Sequence, residues 1–368
     1  MAKAGRQSDI IDRAALDAAL AASAWRPGEG GARGEALALC KDFLARGRAE
    51  LESRLDAGAR GSALVAGYTF LIDEILRAVH DHAASRIFAE PNPTSGARLS
   101  LIAVGGYGRA ELSPHSDIDL LFLHPWKLTA RNEQVVEYML YMLWDMGLKV
   151  GQATRSIKDC LARARRDMTI RTGLLESRYL CGDEALFGEL RQRFRDKIVP
   201  GSESEFVTAK LAERDARHQR TGDSRYLLEP NIKDGKGGLR DLHTLFWIAK
   251  YLYRVDRFAD LIERNLLTKK EQVRFARAEG FLWKVRAHLH LVAGRAEDRL
   301  SFDLQPEIAR RMGYGDRDGN LAVERFMKHY FLVAKSVGEL TRVLCASLEA
   351  DHLDNAPRRR GTDGPSPA

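Results

Sequence analysis

Gly105-Gly106-Tyr107-Gly108-Arg109-Ala110-Glu111-Leu112-Ser113-Pro114-His115-Ser116-Asp117-Ile118-Asp119-Leu120-Leu121-Phe122-Leu123 is the stretch on which the reading of this chain turns. An apolar run leads into its glycine pair, and a second apolar run follows two carboxylates spaced i, i+2. Side chains two apart on a strand share a face, so Asp117 and Asp119 point the same way while Ile118 and Leu120 turn into a core. Gly105 and Gly106 have no Cβ, which lets backbone approach phosphate closely; a helix starting there aims unpaired N–H groups at the anion. Two carboxylates on one strand face suit Mg2+, whose octahedral shell takes carboxylate and phosphate oxygens, and a pair of such ions clamps attacking and leaving oxygens. Ser116 offers a hydroxyl to phosphate and Arg109 a positive charge. The stretch therefore predicts a metal-assisted nucleoside triphosphate site.

Working outward, Arg98–Val104 predicts a strand, Gly105–Leu112 a turn and short helix, and Asp117–Leu123 a second strand. Thr129–Met146 has helical periodicity, and Leu148–Arg155 reads as a third strand. Upstream, residues 1–26 predict a short amphipathic helix, Pro27–Gly34 a glycine-rich linker, and 35–59 and 61–88 two helical stretches before a loop marked by Pro91, Pro93 and Gly96. After Ile157 the pattern is helical throughout, with helices expected near 157–181, 183–198, 203–221, 238–254, 268–292 and 320–349. The segment Arg225–Gly238 reads as an irregular loop, and the polar tail Asp354–Ala368 as disordered. The expected fold class is α+β: a small mixed sheet with helices, followed by an all-α region. The expected divisions are 1–34 for the helix and linker, 35–165 for the sheet-containing domain with its N-terminal helices, 166–350 for the helical domain and 351–368 for the tail.

The 368 residues suffice for two or three cores, and 45% hydrophobic with 30% charged residues fits a soluble globular protein. No apolar run approaches a membrane span, which takes about 18 residues, and Met1–Trp25 is broken by charges where a signal peptide needs an apolar core. The four cysteines, Cys40, Cys160, Cys181 and Cys345, include no CxxC pair and read as reduced cytoplasmic thiols. A net charge of +7 favours anionic partners. The basic run Arg155–Arg171 reads as a solvated helix face. Aromatic content of 8% without clustering argues against a nucleic-acid partner.

The run GGYGRAELSPHSDIDLLFL resembles the nucleotidyltransferase signature of the DNA polymerase beta superfamily. Its longer form, with YGRAEL between glycines and carboxylates, is similar to the bacterial PII uridylyltransferase family. A second stretch, Glu229-Pro230-Asn231-Ile232-Lys233-Asp234-Gly235-Lys236-Gly237-Gly238-Leu239-Arg240-Asp241-Leu242-His243, resembles that family's EPxIKxxxGGLRDxH segment. Leu175–Arg178 and His288–Leu291 add to the likeness, which runs from about residue 35 to 350. The resemblance implies a polymerase-beta-like nucleotidyltransferase that moves UMP from UTP to a tyrosine of the PII nitrogen-signalling protein and releases pyrophosphate. It implies Asp117 and Asp119 as catalytic metal ligands, for one or two Mg2+, and Gly105, Gly106 and Ser116 as the phosphate-binding part. Arg109 joins that part from the bottom-up reading above. Transfer of AMP to a protein or to RNA, and a non-catalytic PII-docking or nucleotide-binding remnant, are the competing readings.

The sequence also departs from these patterns. Many polymerase-beta-like enzymes carry a third carboxylate on the next strand; Leu148–Thr154 has none, a gap shared with the uridylyltransferase branch. The base for the tyrosine proton is therefore open among metal coordination, Glu229, Asp234 and Asp241. Lys233, Lys236 and Arg240, at a glycine turn before a helix, hold nucleotide phosphates, position the acceptor, or simply cap a packed helix. His80-Asp81 is an isolated HD dipeptide on a helical stretch and reads as a solvated face. Full-length family members add an HD hydrolase and two ACT domains, so this chain is expected to lack uridylyl-removing activity and glutamine sensing.

Overall fold

The computed structural model describes residues 6–23, 31–90, 94–255, 260–264 and 266–354. The apolar runs that bracket the glycine pair form antiparallel neighbours, β1 (Ser100–Ala103) and β2 (Ile118–His124), with Ala103 opposite Leu120. β3 (Val150–Ser156) runs parallel to β2, with Asp119 level with Gly151. β4 (Arg178–Gly182) lies antiparallel on the far side of β1, giving the order β3-β2-β1-β4. The α+β expectation holds: one small mixed sheet among many helices.

Fifteen α-helices are described. The first four are α1 (Gln7–Ile10), α2 (Arg13–Ala22), α3 (Gly31–Asp56) and α4 (Gly61–His82). Then come the short α5 (Gly105–Gly108), α6 (Ala130–Asp145), α7 (Ile157–Arg166), α8 (Met168–Leu175), α9 (Glu184–Lys197) and α10 (Glu203–Arg220). The last are α11 (Leu239–Tyr253), α12 (Asp260–Glu263), α13 (Lys269–Ala293), α14 (Gln305–Arg311) and α15 (Ala322–Asp354). Parallel strands need a crossover, and α6 supplies it between β2 and β3. Its start is fixed by Thr129, whose hydroxyl accepts from Asn132 N at 3.2 Å.

Both faces of the sheet are covered. Ile118, Leu120 and Phe122 join Leu44, Leu71, Ile75 and Met139 of α3, α4 and α6 in one core. Leu121 and Leu123 belong to a second core, with Ile157 and Leu161 of α7 and Leu186 and Leu190 of α9. Strand alternation puts Asp119 on the same face as Leu121 and Leu123, at the uncovered end of the strand. A third core joins α11, α13, α14 and α15 and takes in Val65 of α4, so the helical part packs against the sheet-containing part. Burying a large apolar side chain contributes about 1.5–3 kcal/mol each, which makes these clusters the main source of stability.

The structure corrects several local expectations. Residues 157–181 are not one helix. Asp167 interrupts it, its carboxylate accepting from Thr169 N at 2.7 Å and Ile170 N at 3.1 Å to start α8; Arg178–Gly182 is then drawn out as β4. The sheet thus uses residues on both sides of position 165. Residues 1–26 yield two helices, and α3 already begins at Gly31 within the expected linker, the rest of which lies outside the described residues. So do the loop centre at 91–93 and the tail from 355. The basic run is split: Arg163, Arg165 and Arg166 are exposed, whereas Arg171 is buried and donates to Ala164 O at 2.8 Å. His80 and Asp81 lie on α4, where Asp81 pairs with Arg13 at 2.6 Å. Among the described residues no helix is long and apolar enough to cross a membrane.

Candidate active site

A cleft of about 650 Å³ opens where α5 meets the start of β2. Gly105, Gly106, Arg109, Ser116, Asp117 and Asp119 line it from the first motif. Lys233, Asp234 and Arg240 line it from the second, more than a hundred residues away in sequence. Lys236 and Glu229 are not brought in. Lys236 Nζ donates to Asp223 at 2.6 Å, and Glu229 accepts from Arg299 at 2.6 Å and from Phe302 N at 2.9 Å.

The two strand carboxylates stand apart from everything around them. Asp117 is exposed and Asp119 half-buried, and neither accepts a hydrogen bond or closes an ion pair among the described residues. Burial, together with the Asp117 charge, holds the Asp119 carboxyl above its ordinary range, against a smaller pull from Lys233. Gly105 has φ +60, a left-handed conformation, and a Cβ there would lie 3.0 Å from Asp119 Oδ2. This donor set fits a divalent cation: two unpaired carboxylates in a polar cleft, one of them destabilised as an anion. No group of three or more His, Cys, Asp or Glu could hold a metal among the described residues, so water and phosphate oxygens would complete the shell. Ser116 Oγ accepts from Ser113 N at 3.1 Å, leaving its own proton for a phosphate oxygen.

Arg109 is in the cleft wall with its charge already engaged. Its side chain is buried; Nε donates to Glu111 at 2.6 Å and Nη1 to both Glu176 oxygens at 2.8 Å. Trp247 Nε1 also donates to Glu176, and His243 Nε2 lies 3.0 Å from Glu111. Burial raises the Glu111 carboxyl, but His243 and Arg109 outweigh it and bring it down to about 2. Burial and the Arg109 charge lower His243 to about 4, so its ring is neutral near pH 7. The arrangement locks the α5 turn to α8 and α11. Tyr107 in that turn is fully buried; its hydroxyl donates to Asp73 at 2.7 Å, and Arg178 Nη1 donates to the same carboxylate at 2.7 Å.

The second motif builds a turn and a helix start. Asn231 Oδ1 accepts from Lys233 N at 3.0 Å and Asp234 N at 2.6 Å, which sets Lys233 at the cleft. Buried Asp241 accepts from Gly237 N at 2.8 Å, from His218 Nε2 at 2.8 Å and from Arg217, fixing the start of α11. Neither Asp241 nor Glu229 is placed to take a proton in the cleft. Asp234, 3.4 Å from Arg240, is the one of the three carboxylates considered for that role that faces it.

Sequence reasoning missed two walls of the cleft. α10 contributes Lys210, Arg217 and Arg220, and α13 contributes Trp283 and Arg286. Arg286 donates to Asp298 at 2.6 Å and to Ser113 Oγ at 3.3 Å, and His115 N donates to His290 Nδ1 at 3.4 Å, so α13 docks back onto the first motif. The only advance signal was the His288–Leu291 similarity, which marks α13 without naming Arg286. Seven cationic side chains and seven carboxylates line the cleft. Most of the cations are already matched, so the surplus positive charge that a triphosphate needs is not built into the wall.

Comparison with known proteins agrees with this geometry. The nucleotidyltransferase domain family model matches residues 84–179, and the GlnD PII-uridylyltransferase model matches residues 205–345. The chain is 55% identical over 344 residues to a bifunctional uridylyltransferase/uridylyl-removing enzyme of Rhodospirillum rubrum, covering 92% of this chain and 36% of that protein. With the enzyme of the same description from Azospirillum brasilense the identity is 54% over 338 residues, 89% of this chain and 36% of that one. With that from Caulobacter vibrioides it is 52% over 358 residues, 96% and 38%. The chain thus spans little more than a third of the length of the curated relatives it matches. The unpaired carboxylates at the start of β2, the glycine turn before them and the agreement along both motifs lead to one assignment: this chain belongs to the PII-uridylyltransferase family and carries its nucleotidyltransferase domain.

Proposed function

We propose that this chain transfers UMP from UTP to a tyrosine hydroxyl of the PII signalling protein, releasing pyrophosphate, with Mg2+ as the metal. The observation that carries the reading is the unpaired Asp117–Asp119 pair beside the positive-φ Gly105 in a cleft of charged residues. Asp117 and Asp119 would hold Mg2+, which when bound neutralises triphosphate charge and favours the ionised phenol over its ordinary pKa of about 10. Gly105 and Gly106 let a phosphate come against the backbone, and the Ser116 hydroxyl donates to one of its oxygens. Lys233 and Arg240 face the charge that builds on the leaving pyrophosphate. The phenolic oxygen, its proton passing to water, forms a bond to the α-phosphorus as the bridge to the β-phosphate breaks and pyrophosphate leaves. The even charge of the wall favours entry of nucleotide with its metal over nucleotide alone.

The test is labelling of purified PII by α-32P-UTP with Mg2+, run beside α-32P-ATP. Labelled PII with matching pyrophosphate release is expected from UTP alone, and replacing Asp117 or Asp119 by Asn removes it. Equal labelling from ATP, or full labelling by both Asn variants, would sink the reading.

A further inference from the structure

On β3, the strand beside β2, a glycine stands level with Asp119. Gly151 sits opposite Asp119 on β3, which forms the edge of the sheet, and is itself exposed. A Cβ at Gly151 would lie 2.5 Å from Asp119 Oδ1, just as one at Gly105 would lie 3.0 Å from Oδ2. Non-bonded carbon contacts are most favourable near 3.5 Å, so a methyl at 151 and this carboxylate position exclude each other. Gly151 is not among the glycines with positive φ, so its backbone would accept any residue. The only neighbour that a Cβ at 151 would meet within 4 Å is the Asp119 side chain.

We infer that Gly151 is a positioning residue: it holds open the space in which the Asp119 carboxylate reaches metal. No hydrogen bond fixes that carboxylate among the described residues, so the glycine surfaces on its two sides define where it stands. The same crowding keeps any side chain out of position 151 while Asp119 keeps its place. The inference rests on the metal–nucleotide reading of the site.

The experiment measures Mn2+ binding in the presence of α,β-imido-UTP, from the loss of the free-ion EPR signal, together with thermal melting. Gly151→Ala is expected to weaken Mn2+ binding by about tenfold or more, as loss of a supporting residue around a metal ligand does. Gly188→Ala, at a helix glycine with open space around its Cβ, is expected to bind as the parent does. In an Asp119→Ala background the added methyl is expected to leave Mn2+ binding unchanged and not to lower the melting temperature. Parental Mn2+ binding by Gly151→Ala overturns the inference. So does a methyl that lowers the melting temperature equally in both backgrounds, which would place its strain elsewhere. A parent protein that binds no Mn2+ with the analogue overturns the metal reading itself, and this inference with it.

Discussion

The first motif carries four charged side chains and the second six, and they use them in opposite ways. In the first, Asp117 and Asp119 are left without partners at the mouth of the cleft. In the second, nearly every charge is already matched: Glu229 by Arg299, Lys236 by Asp223, Arg240 by Asp234, and Asp241 by Arg217 and His218. Even within the first motif the division recurs, since Arg109 and Glu111 neutralise each other one turn away. Isolated carboxylates carry an electrostatic cost in the free protein and gain most from a ligand. Matched ones position the backbone and gain little from it.

That contrast sets the order of the expected effects. The largest is on transfer: Asp117→Asn or Asp119→Asn lowers PII labelling by about 10³-fold, the scale of losing a directly stabilising group. Asp119→Asn at the same time raises the melting temperature of the metal-free protein at pH 7. The sign follows from its raised pKa: an ionised carboxyl that the fold disfavours subtracts stability above the folded pKa. The gain vanishes once the pH drops below the unfolded value, where both side chains are neutral. Urea unfolding that shows Asp119→Asn less stable than the parent at pH 7 would break the comparison.

Next in size is Asp241→Ala. Removing one member of a buried ion pair costs about 3–5 kcal/mol, and Arg217 and His218 would both lose their partner. The measurement is urea denaturation, and a loss below about 1 kcal/mol would put Asp241 with the open carboxylates. A smaller effect belongs to His243, lowered by burial to about 4. The unfolded imidazole binds a proton near pH 6.5, so this contribution is complete above that pH and is lost as the pH falls toward 4. His288, also lowered by burial to about 4, adds to the same slope, and melting of His243→Gln is expected to flatten it between those limits. The smallest effects are those of Glu229→Gln and Lys236→Ala, whose pairs are solvated: unchanged melting temperature and unchanged labelling are expected, and a tenfold loss of labelling would move these residues into the site.

Much of this was legible in the chain. The i, i+2 carboxylates behind a glycine pair gave the β1–turn–β2 unit, and alternation at Ile118, Leu120 and Phe122 gave its buried face. β4 was not legible, because Arg178–Gly182 is five residues long, follows a helical pattern without punctuation, and becomes a strand only through pairing with β1. The α10 wall was invisible for a related reason. Lys210 and Arg217 look like any solvated helix charges until packing turns them to the cleft. Whether a charge faces the cleft is likewise a tertiary property: nothing local distinguishes Lys233, which lines the cleft 3.9 Å from Asp298, from Lys236, which is tied to Asp223 outside it. Gly151 could be recognised only once strand register set it against Asp119.

The docking of α13 on the first motif has a consequence for the order in which the site is made. Arg286 meets Ser113 across 173 positions and His290 meets His115 across 175. At a synthesis rate of about 5–20 residues per second, a ribosome exposes the glycine turn and its carboxylates roughly ten to thirty seconds before α13 leaves the exit tunnel. During that interval the nascent chain carries Asp117 and Asp119 without the far wall of the cleft. The cleft is therefore completed late in synthesis, when Arg286 and His290 reach Ser113 and His115.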